Sequence, residues 1–228
     1  MTATRELGGF LAHPELQISD DHIDRAVDCL VDTLGCMVYG AGQPWSQRAA
    51  AHARRTGGDG GACPVVGSGF ASSAPMAAFA NGASGHAFEL DDVHEEAISH
   101  PGAVVIPAVL AIAAETGASG LAVLEAIVVG YEAMGRAGIA VGPASHMLAG
   151  YHPTGQSGVF GSAGAVGHLL EFGSGMMTHA LGIAATFSSG TTEFNQSGGD
   201  TNRLHAGRAA EGGLTAALLA ADGFDGPA

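Results

Sequence analysis

The sequence predicts an all-α helical-bundle domain with one short β-hairpin, and three observations carry that prediction. Hydrophobic residues make up 46% of the chain and aromatics only 6%, so the core is built from Ala, Val, Leu and Ile. That composition suits close-packed helices better than a β-sandwich, which needs more β-branched and aromatic residues on alternating positions. Apolar residues recur at spacings of three and four, the period of a helix with one buried face. Glycine, at 37 of 228 residues, is about twice its ordinary ~7% share. It follows no collagen period and falls at helix ends and inside apolar stretches, where it lets backbones approach closely.

The elements follow in chain order. Ser19-Asp20-Asp21 caps a helix whose apolar stripe is Ile23, Ala26, Val27, Leu30, Val31, Leu34, Met37 and Val38, ending near Gly40-Ala41-Gly42. A more polar helix covers Ser46 to Thr56, and Gly57–Gly61 turns out of it. Cys63–Phe70, short and glycine-rich, reads as a surface hairpin. Ser72 or Ser73 caps a helix with Pro75 in its first turn, running through Phe79 and His86 towards Leu90. Further helices span Ala103 to Glu115, Leu121 to Ala140 behind the Ser119 cap, Gly155 to Glu171, Ser174 to Phe187, and Gly207 to Ala221. Eight helices and a hairpin make a single domain over 1–228.

The charge balance narrows the function. Net charge is −14, and all eight basic residues are arginine. Phosphate neutralisation needs a cationic surface, so nucleic acid is excluded as a partner. With no lysine, Schiff-base chemistry is excluded too. Cys29, Cys36 and Cys63 are odd in number and lack zinc spacing; Cys29 and Cys36, seven apart on one helix, read as buried small hydrophobes. Met1–Glu6 lacks the apolar run of a signal peptide. No segment offers ~20 uninterrupted apolar residues, which predicts a reduced, cytoplasmic protein with no membrane partner.

Histidines recur where Pro or Gly interrupts the helical sequence: Glu89 through Gly102, containing His94 and His100-Pro101; Tyr151-His152-Pro153-Thr154-Gly155; and Arg203-Leu204-His205-Ala206-Gly207. Read as turns, they place imidazoles, the side chains that exchange protons near neutral pH, at helix entrances facing a cavity. Pro101 and Pro153 keep the residue before them extended, which sets His100 and His152 beside the free N–H groups of a helix start, a natural anion site.

Two competing motifs fail on geometry. His94-Glu95 with His100 has the wrong interval for a zinc-protease helix; a cation gathered by His86, Asp91, Asp92 and His94 lacks any recognised spacing, so no metal is expected. Gly158-x-x-Gly161-x-x-Gly164-x-x-Gly167 follows no strand and reads as a packing face rather than a nucleotide loop. Glu95 and Glu96 read as surface residues.

Phe79-Ala80-Asn81-Gly82 with His86, Asp91-Asp92, His100-Pro101, Gly150–Gly155 with Gly158, Phe160 and Gly161, Arg203–Ala210 and the closing Gly223–Pro227 occur in an order that resembles the MmgE/PrpD family. The resemblance covers the chain from about residue 5. It implies the family's helical domain without its α/β lid, in about half the usual length, so the chain reads as cut before a lid domain. It also implies cofactor-free chemistry on small polycarboxylates, by proton transfer at a carbon beside a carboxylate; the extensive small-residue helix faces separately predict a homodimer.

On that reading His100 and His152 are the acid and base, and Asp91 and Asp92 orient or charge them. His86, Thr154, Asn202, Arg203 and His205 would bind substrate. Dehydratase and decarboxylase relatives commonly carry lysine where this chain has Asn202, and an amide cannot neutralise a carboxylate. Dehydration or decarboxylation is therefore the first expectation. Epimerisation on the same scaffold and a catalytically silent helical binding module stay open beside it.

Overall fold

The structure is a computed structural model that describes residues 2–12 and 16–228; Met1, with which the N-terminal reading begins, lies outside the described residues. Among the described residues there are eleven helices and one two-stranded antiparallel sheet. The helices are α1 (Ala3–Leu11), α2 (Asp20–Gly40), α3 (Pro44–Gly57), α4 (Ala74–Gly85), α5 (Gly102–Thr116), α6 (Gly120–Ala140), α7 (Pro143–Leu148), α8 (Pro153–Leu169), α9 (Ser174–Phe187), α10 (Phe194–Ser197) and α11 (Thr201–Ala221). The strands are β1 (Cys63–Val65) and β2 (Phe70–Ser72).

The all-α prediction holds, and the eight-helix count falls short by three. Two additions, α7 and α10, are too short to show an apolar period. The third, α1, is capped by Thr2 and was masked by Gly8-Gly9, which looks like a break. A Cβ on Gly8 would lie 2.6 Å from Thr178 Oγ1; the missing side chain lets α1 lie against α9.

Helices α4, α5, α8 and α11 form the centre, where α8 packs on α6 and α11, and α11 on α4 and α9. From Gly102 to Val109 every α5 residue is buried, which explains why its sequence is apolar all round. Helices α2 and α3 lie outside. The stripe that α2 buries is only Ala26, Thr33, Met37 and Gly40. Cys29 and Cys36 flank it and are half-exposed, so the reading of both as buried is corrected; Cys63 alone is buried.

Small residues set the spacing in the centre. A Cβ on Gly207 of α11 would lie 2.3 Å from Phe79 O on α4, and one on Gly213 would lie 1.8 Å from Ser162 Oγ on α8. The α8 glycine series works as predicted, with Gly161 and Gly164 set against Met134 and Ala133 of α6. The hairpin pairs Cys63 with Ser72 and Val65 with Phe70. Asn81 of α4 clamps it: its Oδ1 accepts from Val66 N and its Nδ2 donates to Pro64 O, both at 2.9 Å.

Ser119 Oγ accepts from Ala122 N at 3.2 Å, closing the N-terminus of α6 as predicted. Ser119→Ala should cost about 1 kcal/mol, read as a lower urea midpoint with an unchanged m-value.

Candidate active site

Two boundaries differ from the sequence prediction, and both shape the site. Helix α4 stops at Gly85, leaving His86 as its C-cap with its ring free to meet the following loop. Helix α11 starts at Thr201 rather than Gly207, so Arg203-Leu204-His205 is helical and not a turn. A helical segment sets neighbours about 100° apart and places positions three apart on one face. Asn202 and His205 therefore share a face, and Arg203 looks elsewhere.

His152 is the N-cap of α8 with extended backbone, and Pro153 is the first helical residue. His100 precedes Pro101, the N-cap of α5. The two helix entrances are tied together: His100 N–H donates to Thr154 Oγ1 at 3.2 Å, and Thr154 is fully buried. Thr154 thus positions His100 through its backbone.

The histidines gather in one place. The His86 ring lies 4.8 Å from that of His100 and 6.1 Å from that of His152, and His152 lies 5.1 Å from His205. Asp91 sits beneath them, its side chain sealed from solvent. His86 Nδ1 meets Asp91 Oδ2 at 2.9 Å, and His100 Nδ1 lies 3.4 Å from the same oxygen. His152 Nδ1 and His205 Nδ1 are 3.1 Å apart; in such a contact one nitrogen donates and the other must be unprotonated.

Adjacent Asp91 and Asp92 point apart, as expected of neighbours. Asp92 accepts from Gly102 N at 2.8 Å and from Tyr131 Oη at 2.7 Å, which bolts the start of α5 to α6. Burial pushes its carboxyl up from the ordinary value, against the Tyr131 hydrogen bond.

The environments drive the two candidate proton carriers in opposite directions. Burial works against a charge on His100, but the Asp91 carboxylate overrides it and raises the pKa. His152 is pushed down to about 3, first by burial and then by the neighbouring His86 and His205. His205 is lowered by burial and by His86. Asp91, although burial opposes its charge, is held down at about 2 by hydrogen bonds from His100 and His86. A pair of titratable groups whose pKa values are pushed apart is how one site supplies an acid and a base at a single pH.

This has a thermodynamic consequence. An unfolded chain protonates His152 near 6.5, while the folded protein refuses that proton until about 3. The stability this confers is present above 6.5 and is lost as pH falls towards 3, at up to about 1.4 kcal/mol per pH unit. His152→Gln should flatten the acid limb by roughly that slope, measured by urea unfolding at a series of pH values. Equal slopes in both proteins would contradict the shift.

Sequence reasoning missed three residues of the site. Phe194 of α10 sets its ring edge against both His152 and His205, at 5.5 and 5.7 Å; a lone Phe in a Gly/Ser/Thr-rich stretch gives no signal. Tyr131 sits mid-helix and reads as core. Glu89, with left-handed backbone (φ 54°), accepts from Asn202 Nδ2 at 2.5 Å; a positive φ on a non-glycine residue is not legible in sequence. Asn202 is buried, and its Oδ1 has no partner among the described residues, nor has His86 Nε2.

Arg203 departs from its predicted place. Its Nε donates to Ala87 O at 3.3 Å and its guanidinium stacks over Trp45 at 4.9 Å, away from the imidazoles. His94 also stands apart, against Gly135 of α6. Among the described residues, the group able to hold a cation is His86, Asp91 and His100, whose ligand atoms lie within 4.8 Å of one another; Asp91 already accepts from both imidazoles.

A profile of the MmgE/PrpD N-terminal domain matches residues 5–228. The chain belongs to the MmgE/PrpD family. It is 37% identical over 213 residues to the cis-aconitate decarboxylase of Aspergillus terreus, covering 91% of this chain and 43% of that protein. It is 36% identical over 225 residues to the cis-aconitate decarboxylase-like protein oryM of Aspergillus oryzae, covering 93% of this chain and 46% of that one. The human cis-aconitate decarboxylase is 34% identical over 154 residues, 66% of this chain and 31% of its own length. The chain thus spans less than half the length of these curated relatives. The MmgE/PrpD match fits the helical bundle described above, and no helix among the described residues is long and apolar enough to cross a membrane.

Proposed function

We propose that this chain carries the proton-transfer centre of a lyase acting on small polycarboxylates, in the cytoplasm. The observation that carries the reading is the opposed pair. Asp91 favours an imidazolium at His100, and His152, within the same four-histidine cluster, is held neutral.

The chemistry follows from those states. In a decarboxylation of an unsaturated tricarboxylate such as cis-aconitate, the C–C bond to the departing CO2 breaks and its electrons shift through the double bond. The carbon beside a remaining carboxylate then takes a proton, which His100 supplies. In a dehydration, neutral His152 takes a proton from carbon while His100 protonates the leaving hydroxyl. Both routes pass through negative charge next to a carboxylate, which nearby donors must stabilise. The N–H groups of Thr154 and Gly155, at the start of α8, have no intrahelical acceptor and suit that role.

Asn202 limits the charge available. Its amide is tied to Glu89 and Arg203 turns towards Trp45, so α11 brings no arginine or lysine to this centre. That favours a substrate whose carboxylates are held by hydrogen bonds, and it keeps epimerisation, which needs only deprotonation and return, as the second reading.

Incubation of the protein in D2O with cis-aconitate, 2-methylcitrate or iminodisuccinate separates the readings. Loss of CO2 with deuterium at the adjoining carbon, or loss of water, supports a lyase. Deuterium exchange without loss supports an epimerase. No exchange with any of the three would leave a binding module.

A homodimer also belongs to this proposal. The small-residue faces that suggested it are buried within the protomer between α4, α6, α8 and α11. The surface that supports pairing is instead the outer face of α2, where Val27, Val31, Val38 and Tyr39 are exposed. Light scattering that gives a monomer mass would remove the dimer.

A further inference from the structure

Behind the histidine cluster, on the other side of α11, lies a cleft of about 360 Å³ between α3, α4 and the first turn of α11. Its floor is Phe79, Ala83 and Leu204, and its walls are Trp45, His52 and the arginines 48 and 203. We propose that this cleft is a binding site for a small organic anion with an apolar body, the carboxylate paired with Arg203 and the body laid on Phe79 and Leu204.

Charge carries the argument. The chain has 22 acidic residues against eight arginines, yet two of those arginines border one small cleft. Arg48 is already paired, 2.9 Å from Asp200. Arg203 is half-buried and has no carboxylate within salt-bridge distance among the described residues. Nε is held by Ala87 O and the guanidinium plane by Trp45, which fixes its orientation and leaves the terminal nitrogens as donors. A pre-oriented guanidinium is the group that pairs with a carboxylate in two parallel hydrogen bonds. Asp200 also lines the cleft, but its carboxylate is occupied by Arg48; the rest of the lining is Ala49, Ala83, Leu204 and the rings of Trp45, His52 and Phe79, and the volume falls within the range of small-molecule pockets.

The cleft is separate from the proton-transfer centre but joined to it, because Arg203 grips the carbonyl of Ala87, the residue after His86, and lies between Asn202 and Leu204 on α11.

Trp45 is the single tryptophan of the chain, so its fluorescence reports on this cleft alone. Titration of the full chain with benzoate should give a saturable change with a millimolar or tighter Kd. Benzamide, the neutral isostere, should bind about tenfold more weakly or worse, as loss of a charge-assisted pair requires. Arg203→Met should weaken benzoate by a similar factor. Leu204→Asp, at a partly exposed position that does not burden the fold, should do the same by repulsion, while His152→Gln should leave the titration unchanged. Any of three results overturns the site: no saturable change with benzoate, equal affinity for benzamide, or wild-type affinity retained in both Arg203→Met and Leu204→Asp.

Discussion

His152→Gln should lower deuterium incorporation or product release by about 10²–10⁴-fold, the contribution of a positioned acid or base. Glutamine can still hydrogen-bond His205 and occupy the N-cap of α8, so the fold should survive. The loss should appear in kcat rather than in KM, because the imidazole acts on a proton in flight. Asp91→Asn is the companion test. It removes the carboxylate that stabilises imidazolium at His100, so the alkaline limb of the pH–rate profile should move to lower pH. A variant pair with wild-type turnover and an unshifted profile would remove both residues from the mechanism.

The largest stability effect should come from Gly213→Ala. The added methyl would lie 1.8 Å from Ser162 Oγ, 2.3 Å from Val159 O and 2.7 Å from Ala163 N. Two of those atoms are backbone of α8, so the helices must separate rather than a side chain rotate. Ser162 also donates to Ala209 O across the same contact at 2.7 Å. A loss of about 3 kcal/mol or more is expected, read as a fall in urea midpoint. Since α11 carries His205 and α8 begins at His152, the same change should alter the contact between the two rings. Gly35→Ala is the opposing case: it lies inside α2 with nothing within 4 Å of its added Cβ, and it should stabilise by roughly 0.5–1 kcal/mol.

These two glycines show what a sequence tells and what it hides. Composition and apolar period sufficed for the helical class, the long helices and the buried α5. The His-Pro pairs correctly marked the starts of α5 and α8, because proline's constraint on the preceding residue is local. Where the outcome depends on contact between distant segments, the sequence is silent. Gly35 and Gly213 look alike in the chain, and only the neighbouring helix distinguishes them. Cys29 and Cys36 share a helix side, but the buried stripe of α2 runs beside them. Arg203 was grouped with His205 by proximity in sequence. Extension of α11 back to Thr201 rotates it towards Trp45 instead. Glu89, Tyr131 and Phe194 joined the site through tertiary contacts that no local pattern encodes.

The histidine set illustrates the same division. Residue type and the neighbouring Pro or Gly marked His100, His152 and His205, and the family resemblance added His86, drawn from four separate places in the chain. The distinct proton affinities of His100 and His152 come from the Asp91 carboxylate beside the one and the burial of the other, which is a property of the fold.

Imidazole-resolved NMR across pH tests that division directly. The His152 ring should remain neutral from pH 7 to well below 5, while His100 keeps its proton above the ordinary 6.5. Titration of His152 near 6.5, with His100 losing its proton at or below that point, would contradict the account.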